Sequence, residues 1–85
     1  MEEQEQKELI GVEDAQRAAE RFILGRHSKA KVYFSKAMLK AFVTEPVYEV
    51  EGDFTAGGGI LSPKTKKLFK IQVHAYTTKI VGYEM

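Results

Sequence analysis

Val47-Tyr48-Glu49-Val50-Glu51-Gly52-Asp53-Phe54-Thr55 is the stretch that decides the fold. Tyr48, Val50, Gly52 and Phe54 alternate with Glu49, Glu51 and Asp53, the period of two expected of a half-buried strand. Lys67–Tyr76 repeats the alternation, with Phe69, Ile71, Val73 and Ala75 set against Lys70, Gln72 and His74. A short last strand is expected over about Lys79–Glu84. Strands dry on one face and wet on the other belong to an antiparallel sheet covered on one side only.

Upstream lies the element that can cover that side. Val12, Ala15, Ala19, Phe22 and Ile23 recur at helical spacing, while Glu13, Arg17, Glu20 and Arg21 fall outside the stripe, which predicts a helix over roughly Val12–Leu24. Glu13 and Asp14 suit the positive end of the helix dipole, and Gly25 reads as a C-terminal stop. Its alanines suggest close approach to a sheet rather than to another bulky helix.

Ala30–Thr44 reads two ways. Val32, Tyr33 and Phe34 favour a strand, whereas Ser35 followed by Lys36, Ala37, Met38, Leu39, Lys40 and Ala41 would equally make a capped helix. The row Ser35, Ala37, Leu39, Ala41 and Val43, with Glu45-Pro46 as a corner, tips the reading toward strand. An echo links Leu61–Phe69 to Val73–Val81: each copy runs apolar residue, turn, Thr, Lys, then paired apolar residues, as successive hairpins of a meander would. The expected fold is therefore α+β: one N-terminal helix packed on a four- or five-stranded antiparallel sheet. Its expected core is Phe22, Ile23, Ala19, Tyr48, Val50, Phe54, Phe69, Ile71 and Val73. Residues 1–10 are expected to form an acidic flexible lead, and residues 11–85 a single domain.

Composition bounds the function. A chain of 85 residues holds one domain with a small core. No apolar run approaches the roughly 20 residues that span a bilayer. Met1–Lys7 is acidic and polar where a secretion signal would be basic and then apolar, so a cytoplasmic chain is expected. The absence of cysteine excludes disulfides, zinc-thiolate sites and thiol nucleophiles. Lys and Glu dominate the charge and Asn is absent, a trend seen in heat-adapted proteins, so a thermostable chain is expected.

Gly11–Ala19, then Val47-Tyr48-Glu49-Val50, then Phe69–Val81 together resemble the PepSY domain, with its acidic, alanine-bearing helix start, its "YEV" strand and an ending like V-D-A-x-T-G-K-V. The likeness spans Gly11–Glu84. His74 stands where that family usually has Asp, and Thr78 where it usually has Gly. Losing that Gly implies a turn without the usual left-handed residue, and a wider tip. The resemblance implies a cystatin-like helix cradled by a sheet and a non-catalytic module that binds, regulates or inhibits a peptidase. Members of that family are commonly secreted or membrane-attached, and neither a signal nor an anchor is read here.

Catalytic chemistry finds little to use. His27 and His74 are the only histidines, and no third metal ligand stands at a familiar spacing. Glu49, Glu51 and Asp53 could pair as acid and base, but they read more simply as a solvated strand face relieved by lysines on a neighbouring strand. No catalytic residue, metal or cofactor is expected.

Binding has two readings. In the first, an uncovered sheet face and a strand edge take another protein or peptide, or a second copy in a homodimer, with Leu68, His74, Tyr76 and Val47 as contacts and Gly57-Gly58-Gly59 allowing close approach. In the second, Lys64, Lys66, Lys67, Lys70 and Lys79, in a stretch without acids and interleaved with Phe69 and Tyr76, grip nucleic acid. Charge is polarised along the chain: residues 1–25 set seven acids against Lys7, Arg17 and Arg21, a net of −4, while residues 26–85 set ten bases against five acids, a net of +5.

Overall fold

The computed structural model describes residues 8–41, 45–57 and 64–85. The order is α1 (Val12–Arg26), β1 (Lys31–Ala41), β2 (Pro46–Gly57), β3 (Lys64–His74) and β4 (Ile80–Glu84). The strands form one four-stranded antiparallel sheet in chain order, β1-β2-β3-β4, and α1 packs on one face. This is the expected α+β arrangement. Part of the expected lead (Met1–Lys7), the end of the expected first-strand row at Val43, the glycines at 58 and 59 and the first turn of the echo lie outside the described residues.

Small side chains let α1 sit close to the sheet: Ala15, Ala18, Ala19 and Ile23 are buried. Its start is fixed by Asp14, whose carboxylate accepts the Gly11 N–H at 3.2 Å and an Arg17 N–H at 2.7 Å. Both bonds favour the charged form, Arg17 more than Gly11, and hold this carboxyl below the usual range. The stripe differs from expectation at its start and in its middle. Val12, in the first turn, is exposed, and Ala18 joins the buried set. Gly25 does not stop the helix, because its ordinary helical backbone makes no demand for glycine. The helix closes instead at His27, whose N–H donates to the Ile23 carbonyl.

Lys31–Ala41 is strand, and its double reading has a structural cause. The pairing of β1 with β2 slips between Phe34 and Lys36, so Ser35 occupies a bulge. Val32 and Phe34 pack on the α1 side before the bulge and Ala37 after it, while Leu39, on that side by register opposite Tyr48, stays 46% exposed. The apolar parity therefore switches in mid-strand, and no single period of two runs through it. Gly52 lies opposite Phe34 on one side and Phe69 on the other, and across it these rings meet edge to face at 6.1 Å. Phe54, Val50, Ile71 and Val73 complete the buried centre with Ile23. Phe22 is only half-buried, at the flank, where its ring lies 4.8 Å from that of Tyr83 and beneath the Arg26 guanidinium.

Ile10, assigned by sequence to the lead, is tied to the fold: its N–H donates to the Ala75 carbonyl and its carbonyl accepts the Tyr48 hydroxyl, both at 2.8 Å. The expected loss of a left-handed residue in the last turn is corrected as well. Thr78 itself takes φ 65°, because the tight return from His74 to Lys79 requires that conformation whichever residue occupies it. Among the described residues no helix is long and apolar enough to cross a membrane.

Candidate functional site

The face of the sheet opposite α1 carries the polar half of every alternation. Charge is sorted on it strand by strand. β1 presents Lys31, Lys36 and Lys40, β2 presents Glu49, Glu51 and Asp53, and β3 presents Lys66 and Lys70, as their register requires. Each carboxylate thus has lysines on both flanks. Lys40 reaches Glu49 at 2.7 Å and Lys66 reaches Asp53 at 3.2 Å, each from the neighbouring strand and one row along. Lys36 and Lys70 stand directly opposite Glu51.

These partners bear on chemistry. The Lys40 hydrogen bond, helped by Gln72, holds the Glu49 carboxyl below its ordinary range against the opposing effect of burial. A general acid needs the reverse shift. Among the described residues no group of His, Cys, Asp or Glu is arranged to hold a metal ion.

The four expected contacts do not form one patch. Val47 and His74 are opposite one another on this face, yet only 5% and 8% exposed. The His74 ring is enclosed on two sides: Nε2–H donates to Glu45 at 2.8 Å, Nδ1 accepts the Tyr76 N–H at 3.2 Å, and the Tyr76 ring lies 6.0 Å away. Val47 and Glu49, the outward residues of this end of β2, are both buried, so this end of the outer face is not wet as expected. Glu45 and Tyr76, beyond the strand ends, lie against His74, and Lys40 and Gln72 lie against Glu49. Leu68, by contrast, is 76% exposed and opposite Asp53, with Tyr33 on the far side of Asp53 at 55%.

Beside this Tyr33–Asp53–Leu68 row opens a shallow groove of about 450 Å³, lined by Ser35, Glu51, Leu68, Lys70, Glu84 and Met85, with Gly52 and Phe69 in its floor. The open half of the outer face leads to β1, an 11-residue strand at the margin of the sheet. Among the described residues nothing pairs with its outer edge. Tyr33 and Met38 are exposed along it, and sequence reasoning passed over both. Meander order would have found them: the first strand of a meander is an edge, and register with Asp53 and Glu49 turns both outward.

The lysines expected to grip nucleic acid are dispersed. Lys64, Lys66 and Lys70 share the outer face, Lys67 opposite Phe54 is on the α1 side, and Lys79 follows the far end of β3. Successive turns of a meander necessarily lie at opposite ends, here separated by β3, roughly 35 Å of strand. Phe69 is buried, its ring against those of Phe34 and Phe54, and has no open face for a base.

Fold and face together define a small helix-on-meander α+β protein with one partly open sheet face and, among the described residues, a long unpaired edge. No protein-family model, curated protein or solved structure matches the chain.

Proposed function

We propose that this protein is a non-catalytic protein-binding module that captures an extended stretch of a partner as an added strand along β1. The observation that carries the reading is the 11-residue edge with no paired neighbour among the described residues, flanked by exposed Tyr33 and Met38. An edge strand offers a row of main-chain donors and acceptors, which supply affinity, and alternate side chains, which supply selectivity. Leu68 and the groove beside it extend the contact across the outer face. Val47 and His74 shape its closed end, with Tyr76 against His74. The peptidase-regulating role implied by the PepSY likeness is the narrower form of this proposal: a module that holds an extended segment withholds it from, or presents it to, a peptidase cleft.

The test is selection of extended peptides from a displayed random library, followed by amide hydrogen exchange of the complex. Binders are expected to slow exchange along β1, and Tyr33→Ala with Met38→Ala is expected to weaken them without shifting thermal unfolding. Binders that leave the β1 amides unprotected would overturn the reading.

A further inference from the structure

We infer that the segment captured at β1 is acidic, with carboxylates at alternate positions. This deepens the strand-addition reading and rests on it. The outer-face side chains of β1 are Lys31, Tyr33, Lys36, Met38 and Lys40, its charged members all basic. On its inner side β1 already pairs with such a partner, since β2 presents Glu49, Glu51 and Asp53 to those same lysines, and Lys40 engages Glu49 directly. Charge alternates across the sheet from β3 to β2 to β1, so the next strand out continues the alternation if it is acidic. Opposite charges facing one another across a strand pair are favourable, and like charges are not.

The same lysines select against the commonest competitor, a second copy. Two β1 edges paired antiparallel would set lysines against lysines, one of the devices by which edge strands avoid self-association. The opposite edge of a second copy is a poorer match in length: β4 has only five residues, with Glu84 its sole charge. Length and charge therefore both point to a foreign acidic strand at β1.

The experiment uses the full chain and a fluorescent synthetic peptide that alternates Glu with Val and Thr, with Gln-for-Glu and Lys-for-Glu twins. The Glu peptide is expected to bind about tenfold more tightly than the Gln twin, as two or three opposite-charge cross-strand pairs would give. That margin should collapse in high salt and in a Lys31→Gln, Lys36→Gln variant, with slowed amide exchange confined to β1. Equal binding of the Glu and Gln peptides would overturn the acidic preference while leaving strand addition standing. Binding by none of the three would overturn both. Tighter binding of the Lys peptide, protection at β4 in place of β1, or self-pairing through β1 detected by sedimentation would each defeat the inference.

Discussion

A methyl group placed on Gly52 would sit 2.1 Å from the backbone carbonyl oxygen of Tyr33. The same atom would lie 3.0 Å from the Phe34 Cα and 3.0 Å from the tip of the Phe69 ring. Two of these three neighbours are backbone and cannot rotate away. The close approach belongs to the β1 bulge, which draws the chain over Gly52 where Phe34 crosses toward Phe69. Gly52→Ala is therefore expected to cost about 3 kcal/mol, the upper end of overpacking penalties. Urea unfolding checks it, and a loss below about 1 kcal/mol would show that the bulge relaxes freely.

Thr78 holds φ 65° while its N–H donates to the His74 carbonyl and the following Lys79 N–H donates to the Thr77 hydroxyl. A β-branched residue pays for left-handed backbone by about 1–2 kcal/mol, and the extra freedom glycine brings to the unfolded chain returns about half of that. Thr78→Gly should stabilise the protein by up to about 1 kcal/mol. The check is the denaturant midpoint, which must rise.

Phe54 and Phe22 separate the buried centre from its flank. Phe54 is fully enclosed against Phe69 and His27, so Phe54→Ala should cost about 3–5 kcal/mol. Phe22 keeps part of its ring in water against Tyr83 and Arg26, and Phe22→Ala should cost less, about 1–2 kcal/mol. Equal losses would place Phe22 in the core, where its helical spacing alone had set it.

Glu49 predicts acid sensitivity. Its carboxyl is held below the ordinary range in the folded chain, chiefly by Lys40, so its contribution is complete above that range and fades as pH falls through the lowered value. Glu49→Gln should destabilise the protein by about 1–2 kcal/mol at pH 7, the worth of a charge-assisted hydrogen bond with a partly exposed partner. The gap between variant and parent should narrow toward pH 3 in paired unfolding curves. A gap independent of pH would assign the loss to packing.

Strands whose two faces meet different solvents announced themselves. In β2 and β3 the alternation fixed which residues of Tyr48–Phe54 and Phe69–Val73 point inward, and the structure buries them. β1 was harder to read because the bulge at Ser35 breaks its parity, leaving neither period intact. The candidate site was legible only in part. Alternation assigns a side chain to a face but does not say what folds over that face. Glu45 and Tyr76, beyond the strand ends, enclose His74, and no spacing rule connects them to it. The lysines were legible only in part: Lys64, Lys66 and Lys70 do share the outer face, while alternation turns Lys67 to the other side and the meander carries Lys79 to the far end of β3.

Leu68 and Val47 test that division directly, since periodicity set both on the outer face and the structure gives them opposite surroundings. Leu68→Ala removes a side chain that is mostly in water, and its effect on stability should stay within about 0.5 kcal/mol. Val47→Ala empties a site closed off on the side of the sheet away from α1, between strands that carry Lys40 and His74 in register with it, and should cost about 1–3 kcal/mol. Denaturant unfolding of the two variants separates the cases. Were Val47→Ala as silent as Leu68→Ala, the cover over that end would be loose, and the bare surface available to a partner would run on from Leu68 to His74.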